Sequence, residues 1–484
     1  MPEILESDLC VIGGGAAGLV VSAGGAAFGA RVALVEKSRL GGDCLYRGCV
    51  PSKALLKAAK VCQTLREADA FGFPSIDLSD CIEQGMNYAQ KIIRDLEPND
   101  SPERFEKMGV KIVWGAGQFI SPDRFSVPSA GMEIAARSFV IATGSRPYVP
   151  DIPGLSDIPY LTNETVFQAQ GPIRRLLVLG GGPISCELSQ AFVRLGVPVT
   201  VVVRSPRILS REDPDLARIV KKRLEIEGVE YHLERRVLRA EKSGNGVALV
   251  LEGPDGRREE KEGSHLLVAT GRTPNLHGLD LDRAGVKRSG DRLDLDRRLR
   301  TSNRRIFACG DAAGPHYYTH MAEHQASVVL VNTLFRLPVR AKNQAPRCTF
   351  TEPELAVAGL TEEEADRKNI SYRVYRVPFG RIDRAVTDGE AQGFAKALTD
   401  SRGRLLGAGI VGPHAGELIH QLGLAIRKKM KLTDLDGLIH IYPTLSQIHK
   451  RLAQERLKAG MTPGIRRLLQ RIFGLRGGWE GQWP

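Results

Sequence analysis

Apolar residues in this chain gather in short continuous runs that end at glycine turns. Residues 8–11 are one such run, and Gly13-Gly14-Gly15-Ala16-Ala17-Gly18 follows at once. Small residues over 17–28 read as a helix, and residues 31–35 as a second strand closing on Glu36. The same order returns at Leu176-Leu177-Val178-Leu179, with Gly180-Gly181-Gly182-Pro183-Ile184-Ser185 after it and a strand over 199–203. Two further segments are near repeats: Val140-Ile141-Ala142-Thr143-Gly144-Ser145-Arg146-Pro147 and Leu267-Val268-Ala269-Thr270-Gly271-Arg272-Thr273-Pro274. Each is a strand running into a glycine turn. Ile306-Phe307-Ala308-Cys309-Gly310 is one more, presenting Asp311 at the strand's C-terminal end.

This order carries chemistry. In strand, G-x-G-x-x-G, helix, strand, acid, Gly13 permits the tight turn and Gly15 lets backbone approach a pyrophosphate at the helix N-terminus. Gly18 lets helix and strand pack closely. Glu36 can accept from ribose hydroxyls, so the first unit is expected to bind a dinucleotide. In the second copy Ser185 is a small substitute for the third glycine, and Arg204 stands where an acid would read an unphosphorylated ribose. Arg207 and Arg211 are close by. A guanidinium attracts a 2′-phosphate that a carboxylate would repel, which argues for NADPH over NADH.

Between these units lies Gly41-Gly42-Asp43-Cys44-Leu45-Tyr46-Arg47-Gly48-Cys49-Val50-Pro51. Pro51 opens a segment that reads as a helix over 52–70. A cysteine near a helix N-terminus favours thiolate. Spacing alone leaves a redox pair, half a zinc site and a structural disulfide open. Zinc needs a second, suitably placed Cys/His pair, which is missing, and nothing resembles a small secreted scaffold. Two dinucleotide units around a dithiol favour a relay from nicotinamide to flavin to disulfide.

Composition narrows the class. A chain of 484 residues is expected to hold two to four domains, and 42% hydrophobic and 26% charged residues suit a soluble globule. No apolar run is long enough to span a bilayer, and Met1-Pro2-Glu3 leads into a strand without a signal peptide, so a reducing cytoplasm is expected. Cys10, Cys186 and Cys309 sit in apolar patterns and are expected to be packing residues. The net charge of +12 is scattered, without a nucleic-acid motif.

Together these motifs resemble the class I pyridine nucleotide–disulfide oxidoreductases, which include dihydrolipoamide dehydrogenase, glutathione reductase and mercuric reductase. The resemblance covers residues 8 to about 457. It implies an α/β fold of two Rossmann-like dinucleotide-binding domains plus an α+β C-terminal dimerisation domain. The expected boundaries are 1–150 and 280–345 for FAD, 151–279 for NAD(P)H, 346–460 for dimerisation and 461–484 for a basic amphipathic tail. The third domain is recognised from Cys348-Thr349-Phe350-Thr351-Glu352-Pro353 and from the glycine-rich stretch 403–412.

By that resemblance Gly13, Gly15, Gly18 and Glu36 hold the ADP half of FAD. Gly117, Thr143, Gly144 and Ser145 are further FAD contacts. Lys53 sits by the flavin and pairs with Glu187. Asp311 binds the ribityl or pyrophosphate region, and Thr319-His320-Met321-Ala322 approaches the isoalloxazine. Cys49 is the thiolate on the flavin, and Cys44 is the outer thiol of a Cys44–Cys49 disulfide. Gly180, Gly182, Glu187, Arg204 and Gly271 line the NADPH site. The resemblance also implies a homodimer whose last segment enters the partner's site.

That segment departs from the family. In lipoamide and glutathione enzymes a His precedes Pro-Thr and a Glu follows five residues later. Here Tyr442 and Gln447 occupy those positions. A phenol with a pKa of about 10 is poorly tuned for neutral acid–base work, and losing the couple costs thiol exchange about 10²–10⁴ in rate. His440 and His449 are nearby substitutes, each read more simply as a packing histidine. Tyr before Pro and the Arg204-Ser205 pair resemble mercuric reductases. No cysteine follows Cys348, so efficient Hg²⁺ delivery by C-terminal thiols is not expected. The reading is an NADPH-preferring flavoprotein acting on a small-molecule or protein disulfide, a metal ion or a quinone. Dihydrolipoamide dehydrogenase, mercuric ion or quinone reductase, and a membrane- or partner-associated redox sensor are the alternatives. Residues 464–475 form a basic amphipathic pattern with Trp479 and Trp483 beyond it, a candidate for peripheral membrane contact or for packing on the dimer.

Overall fold

The computed structural model describes residues 2–477 apart from 77, 79, 80, 170, 245 and 343. The chain divides into two units, one of residues 1–206 with 227–343 and the other of 207–226 with 344–484. Trp479 and Trp483 lie outside the described residues.

The first unit contains a seven-stranded sheet. Glu3–Ile12 lies between Val32–Glu36 and Met132–Ile141, parallel to both. Ile306–Ala308 joins the far side of Met132–Ile141, also parallel, so the chain returns to its first sheet after a long excursion elsewhere. Leu9 to Ile12 are all buried, which explains the continuous apolar run: both faces are covered. The helix Ala16–Ala27 packs so tightly on its strand that a Cβ at Gly18 would lie 1.8 Å from the Gly13 carbonyl oxygen.

A second parallel sheet has the order Glu230–His232, Val199–Val202, Leu176–Leu179, His265–Val268. Ser185, in the helix Pro183–Arg194, donates to the Gly180 carbonyl at 2.7 Å. That bond gives serine a purpose at the third-glycine position. Arg194 and Glu227 form a buried bidentate pair beside this sheet.

The second unit is an antiparallel five-stranded sheet, Arg347–Thr349, Glu354–Gly359, Leu405–Gly412, Phe394–Thr399 and Arg373–Pro378 in spatial order. Ala415–Arg427 and Gln447–Gly460 contribute to its core. Lys396 is buried in this unit and reaches Asp213 at 2.7 Å, Asp215 at 2.8 Å and Glu362 at 2.6 Å. The tail forms a helix, Pro463–Phe473, in which the Thr462 hydroxyl accepts from the Ile465 amide and no residue is buried.

One expected boundary moves. The helix after the cysteines spans Cys49–Arg66, not 52–70, and a separate short helix, Gly42–Tyr46, carries Cys44. Pro51 falls at the third helical residue, where the missing N–H has no intrahelical partner in any case. Proline therefore marks the first turn, not the start.

Candidate active site

Cys49 is the first residue of its helix, with Gly48 as N-cap and no side chain capping the turn. Its thiol meets the open N–H groups and positive end of the dipole. Thr319, which starts the helix Thr319–Leu334, sits 3.3 Å from Cys49 Sγ and donates to Cys44 Sγ at 3.5 Å. A hydrogen bond from Cys44 lowers the Cys49 pKa to about 6; burial opposes this, while Thr319 and then Lys53 reinforce it. The Cys44 thiol is pushed far up, first by donating to Cys49 and then by burial. The pair is thus polarised, a thiolate at Cys49 held by a thiol at Cys44. Both are free thiols in this structure, the reduced form of a pair expected to cycle between dithiol and disulfide.

Lys53 follows one turn later, and its ammonium lies 2.8 Å from Glu187, whose side chain is buried in the Pro183–Arg194 helix. The expected pair is formed, joining the redox helix to the second dinucleotide unit. Cys10, Cys186 and Cys309 are buried, and burial raises the pKa of all three. They are packing residues, as expected.

The two near repeats meet. Ser145–Pro147 pairs antiparallel with Arg272–Pro274. Thr143 donates to the Asn275 carbonyl at 2.7 Å, and Asn275 N–H to the Gly144 carbonyl at 3.0 Å. The Ser145 hydroxyl donates to Asp311. Arg272 donates to Ser145 at 2.6 Å and to Asp43, the residue before Cys44. Burial raises the Asp311 pKa, with Ser145 and Arg272 opposing. Sequence reasoning misses Asp43 and Arg272 as site residues, although both lie inside motifs already singled out. No local pattern signals a bond between positions 229 residues apart.

Other expected residues take these positions. Glu36 accepts from the Gly14 amide at 2.7 Å and the Ser38 amide at 2.8 Å, leaving further lone pairs for a ribose. Gly15 and Gly182 N-cap their helices with no side-chain cap, and a Cβ at Gly182 would meet nothing within 4 Å. These open N–H groups suit the diphosphates of FAD and NAD(P)H. Gly180 and Gly271 both have positive φ, in the turns after their strands. Close packing accounts for Gly117, since a Cβ there would come within 2.3 Å of the Phe125 ring. Met321 and Ala322 are buried, and of their stretch it is Thr319 that reaches the thiols. Arg204 is exposed and makes no side-chain bond among the described residues. Arg207 is bound to Glu363 at 2.6 Å instead.

In the second unit the Tyr442 hydroxyl donates to Asp383 at 2.8 Å, and that bond to a carboxylate raises the phenol's pKa. His449 is 1% exposed; burial, with His440 beside it, lowers its pKa to about 4, and the Leu418 backbone offsets little. Leu438 and Gln421 engage the two ring nitrogens of His440. Gln447 donates to the His440 and Ile441 carbonyls. Asp383, the partner of Tyr442, carries no signal in the sequence. No imidazole–carboxylate couple stands in this segment among the described residues.

Residues 7–329 match the family model "Pyridine nucleotide-disulphide oxidoreductase", and residues 345–453 match its dimerisation domain. A mercuric reductase of Lysinibacillus sphaericus is 31% identical over 91% of this chain and 81% of its own. A dihydrolipoyl dehydrogenase of Thermus scotoductus is 35% identical over 91% of this chain and 95% of its own. The Cu(II) complex of RclA, an HOCl-induced flavoprotein disulfide reductase of Escherichia coli, superposes with a TM-score of 0.82 at 25% identity, covering 93% of this chain and 99% of that one.

Proposed function

Because the chain belongs to the class I pyridine nucleotide–disulfide oxidoreductase family, an FAD-dependent NAD(P)H oxidoreductase family, we propose that it uses NADPH to reduce a thiophilic metal ion at Cys44 and Cys49. Bound FAD supplies a two-electron relay between nicotinamide and the cysteines. Gly13, Gly15, Gly18 and Glu36 hold its ADP half. Thr143, Gly144, Ser145 and Asp311 line the middle, with Gly117, Met321 and Ala322 as outlying contacts. Lys53, fixed by Glu187, approaches the ring. Gly180, Gly182, Gly271 and Arg204 receive NADPH.

The observation that carries the choice of acceptor is the Cys44 thiol, pushed far up by donating to Cys49 and by burial, with no imidazole or carboxylate bonded to it among the described residues. Attack on a disulfide needs the Cys44 thiolate and a proton for the leaving sulfur. A metal ion needs neither, because coordination itself deprotonates a thiol. Two thiolates then close to a disulfide, giving two electrons to one Hg²⁺ or to two Cu²⁺, while the thiol proton leaves to solvent. The mercuric reductase relatives and the Cu(II) complex of RclA support this class.

An anaerobic NADPH oxidation assay with Cu²⁺, Hg²⁺, lipoamide and glutathione disulfide tests it. Metal ions are expected to exceed the disulfides in kcat/KM by about 10² or more, the scale of a missing acid–base group. Tyr442→His with Gln447→Glu should raise disulfide turnover and leave Cu²⁺ turnover unchanged. A wild type that prefers either disulfide would overturn the metal assignment.

Arg204 is proposed to select NADPH. Wild type should favour NADPH over NADH in kcat/KM by about tenfold or more, the worth of one charge-assisted phosphate contact. Arg204→Glu should narrow that ratio, and an NADH-preferring wild type refutes the assignment.

The dimerisation domain supports a homodimer, and so do Ile439 and Ile441, which are 93% and 77% exposed in the single chain. The uncovered apolar face of Pro463–Phe473 suits the partner subunit better than an anionic membrane, since amphipathic helices ordinarily face a protein core. No helix among the described residues is long and apolar enough to cross a membrane. A reducing cytoplasm suits eight cysteines, none of them in a disulfide in this structure.

A further inference from the structure

Away from the cysteines, the first unit has a pocket of about 390 Å³ at the end of the strand Ile306–Ala308 opposite Asp311. Six arginines line it: Arg137, Arg298, Arg300, Arg304, Arg305 and Arg336. Only two are matched by a carboxylate among the described residues, Arg300 by Asp296 at 3.1 Å and Arg305 by Asp123 at 3.6 Å. Arg298, Arg304 and Arg336 make no side-chain hydrogen bond or ion pair among the described residues, and Arg137 reaches only the Leu334 carbonyl at 3.5 Å. The four guanidiniums left without a carboxylate around one concavity repel one another unless an anion joins them.

The pocket is built, not a chance gathering on a flat face. Asn332, buried in its floor, donates to the Arg298 carbonyl at 3.1 Å and the Val339 carbonyl at 2.9 Å, and accepts from the Val339 amide at 2.9 Å. One amide thus fixes the turn carrying Arg298 and the loop carrying Arg336. Dinucleotides bind at the carboxyl ends of such strands, so this pocket at the opposite end is not part of the cofactor crevice.

We propose that this arginine pocket is a binding site for a phosphate-bearing polyanion, held by paired guanidinium–phosphate contacts. Planar guanidinium forks match phosphate oxygens bidentately. The volume falls in the range of small-ligand sites, about 300–1,000 Å³. Free polyphosphates and phospholipid headgroups both carry this chemistry. The second is favoured at the rim, where Leu337 and Phe335 are exposed and Phe335 packs edge-on against exposed Phe28 at 5.2 Å.

The test uses the FAD-loaded full-length protein in two arms. Tripolyphosphate is titrated in calorimetrically, and vesicles of phosphatidylglycerol or of phosphatidylcholine alone are co-sedimented with the protein. Wild type should bind in at least one arm, more weakly as salt rises. Tripolyphosphate binding without vesicle capture identifies a soluble ligand; capture by phosphatidylglycerol alone identifies a lipid headgroup. Arg298→Glu with Arg336→Glu, and the milder pair Arg298→Gln with Arg336→Gln, should each weaken binding by about tenfold or more, as expected for lost charge-assisted contacts. FAD content and NADPH turnover should hold. The exposed control pair Arg257→Glu with Arg288→Glu should leave affinity within about twofold, since surface charges away from a site contribute little. Absence of binding in both arms, or equal weakening by the control pair, overturns the site.

Discussion

Cys49→Ser is expected to abolish acceptor reduction, lowering kcat by about 10⁴ or more, the scale on which a reacting unit loses its nucleophile. The polarised pair explains the size of the effect. Cys49 is the thiolate, with a pKa lowered to about 6 first by the Cys44 hydrogen bond. Serine is a far weaker nucleophile and cannot form the disulfide. The same polarisation has a pH signature. In the dithiol enzyme, alkylation of Cys49 by iodoacetamide should rise through about pH 6, so Cys49 is largely thiolate at neutral pH. Cys44→Ala removes the hydrogen bond that dominates the shift, and the alkylation midpoint should move up towards the ordinary thiol value. Mass spectrometry of the labelled peptide reads both. An unchanged midpoint in Cys44→Ala would remove Cys44 as the cause. An alkylation profile that tracks Cys44 and not Cys49 would reverse the two roles.

Much of this arrangement is legible in the sequence because it is local. The glycine turns, the small-residue helix after Gly18 and the apolar strands obey steric rules within some thirty residues. Lys53 and Glu187, 134 residues apart, are linked in the sequence only through the family resemblance. What stays hidden depends on distant chain segments. Arg272 reads as one more residue of a strand-end repeat until the two repeats pair and turn it towards Asp43. Tyr442 reads as a replaced histidine, and nothing near it announces Asp383. His449 falls on a helical face, and only the packed unit shows that burial holds it neutral. The start of the cysteine helix is misplaced for a different reason: proline is tolerated through the whole first turn, so it does not mark which residue of that turn comes first.

Burial and charge act together on stability at Lys396. Its side chain is 1% exposed and holds Asp213, Asp215 and Glu362, tying the strand Phe394–Thr399 to the ends of two helices. Burial acts to lower its pKa, but the three carboxylates more than offset this and raise it, so it stays charged. Removing one member of a buried ionic group leaves its partners uncompensated, at about 3–5 kcal/mol. Lys396→Ala should therefore lower the thermal midpoint sharply, and Lys396→Met, which keeps the volume, should do so too. The sign with pH follows from linkage. Burial already raises the Asp213 pKa with Lys396 present, and losing the cation raises it further. A carboxyl whose folded pKa lies above its unfolded value loses stability as pH rises through the folded value. The gap between wild type and variant should thus be widest above neutral pH and shrink as the solution is acidified and the carboxyls take up protons. Thermal melts of both variants across that interval measure it. A gap independent of pH would mean that lost packing, not unpaired charge, sets the cost, and a fully stable Lys396→Met would mean the same.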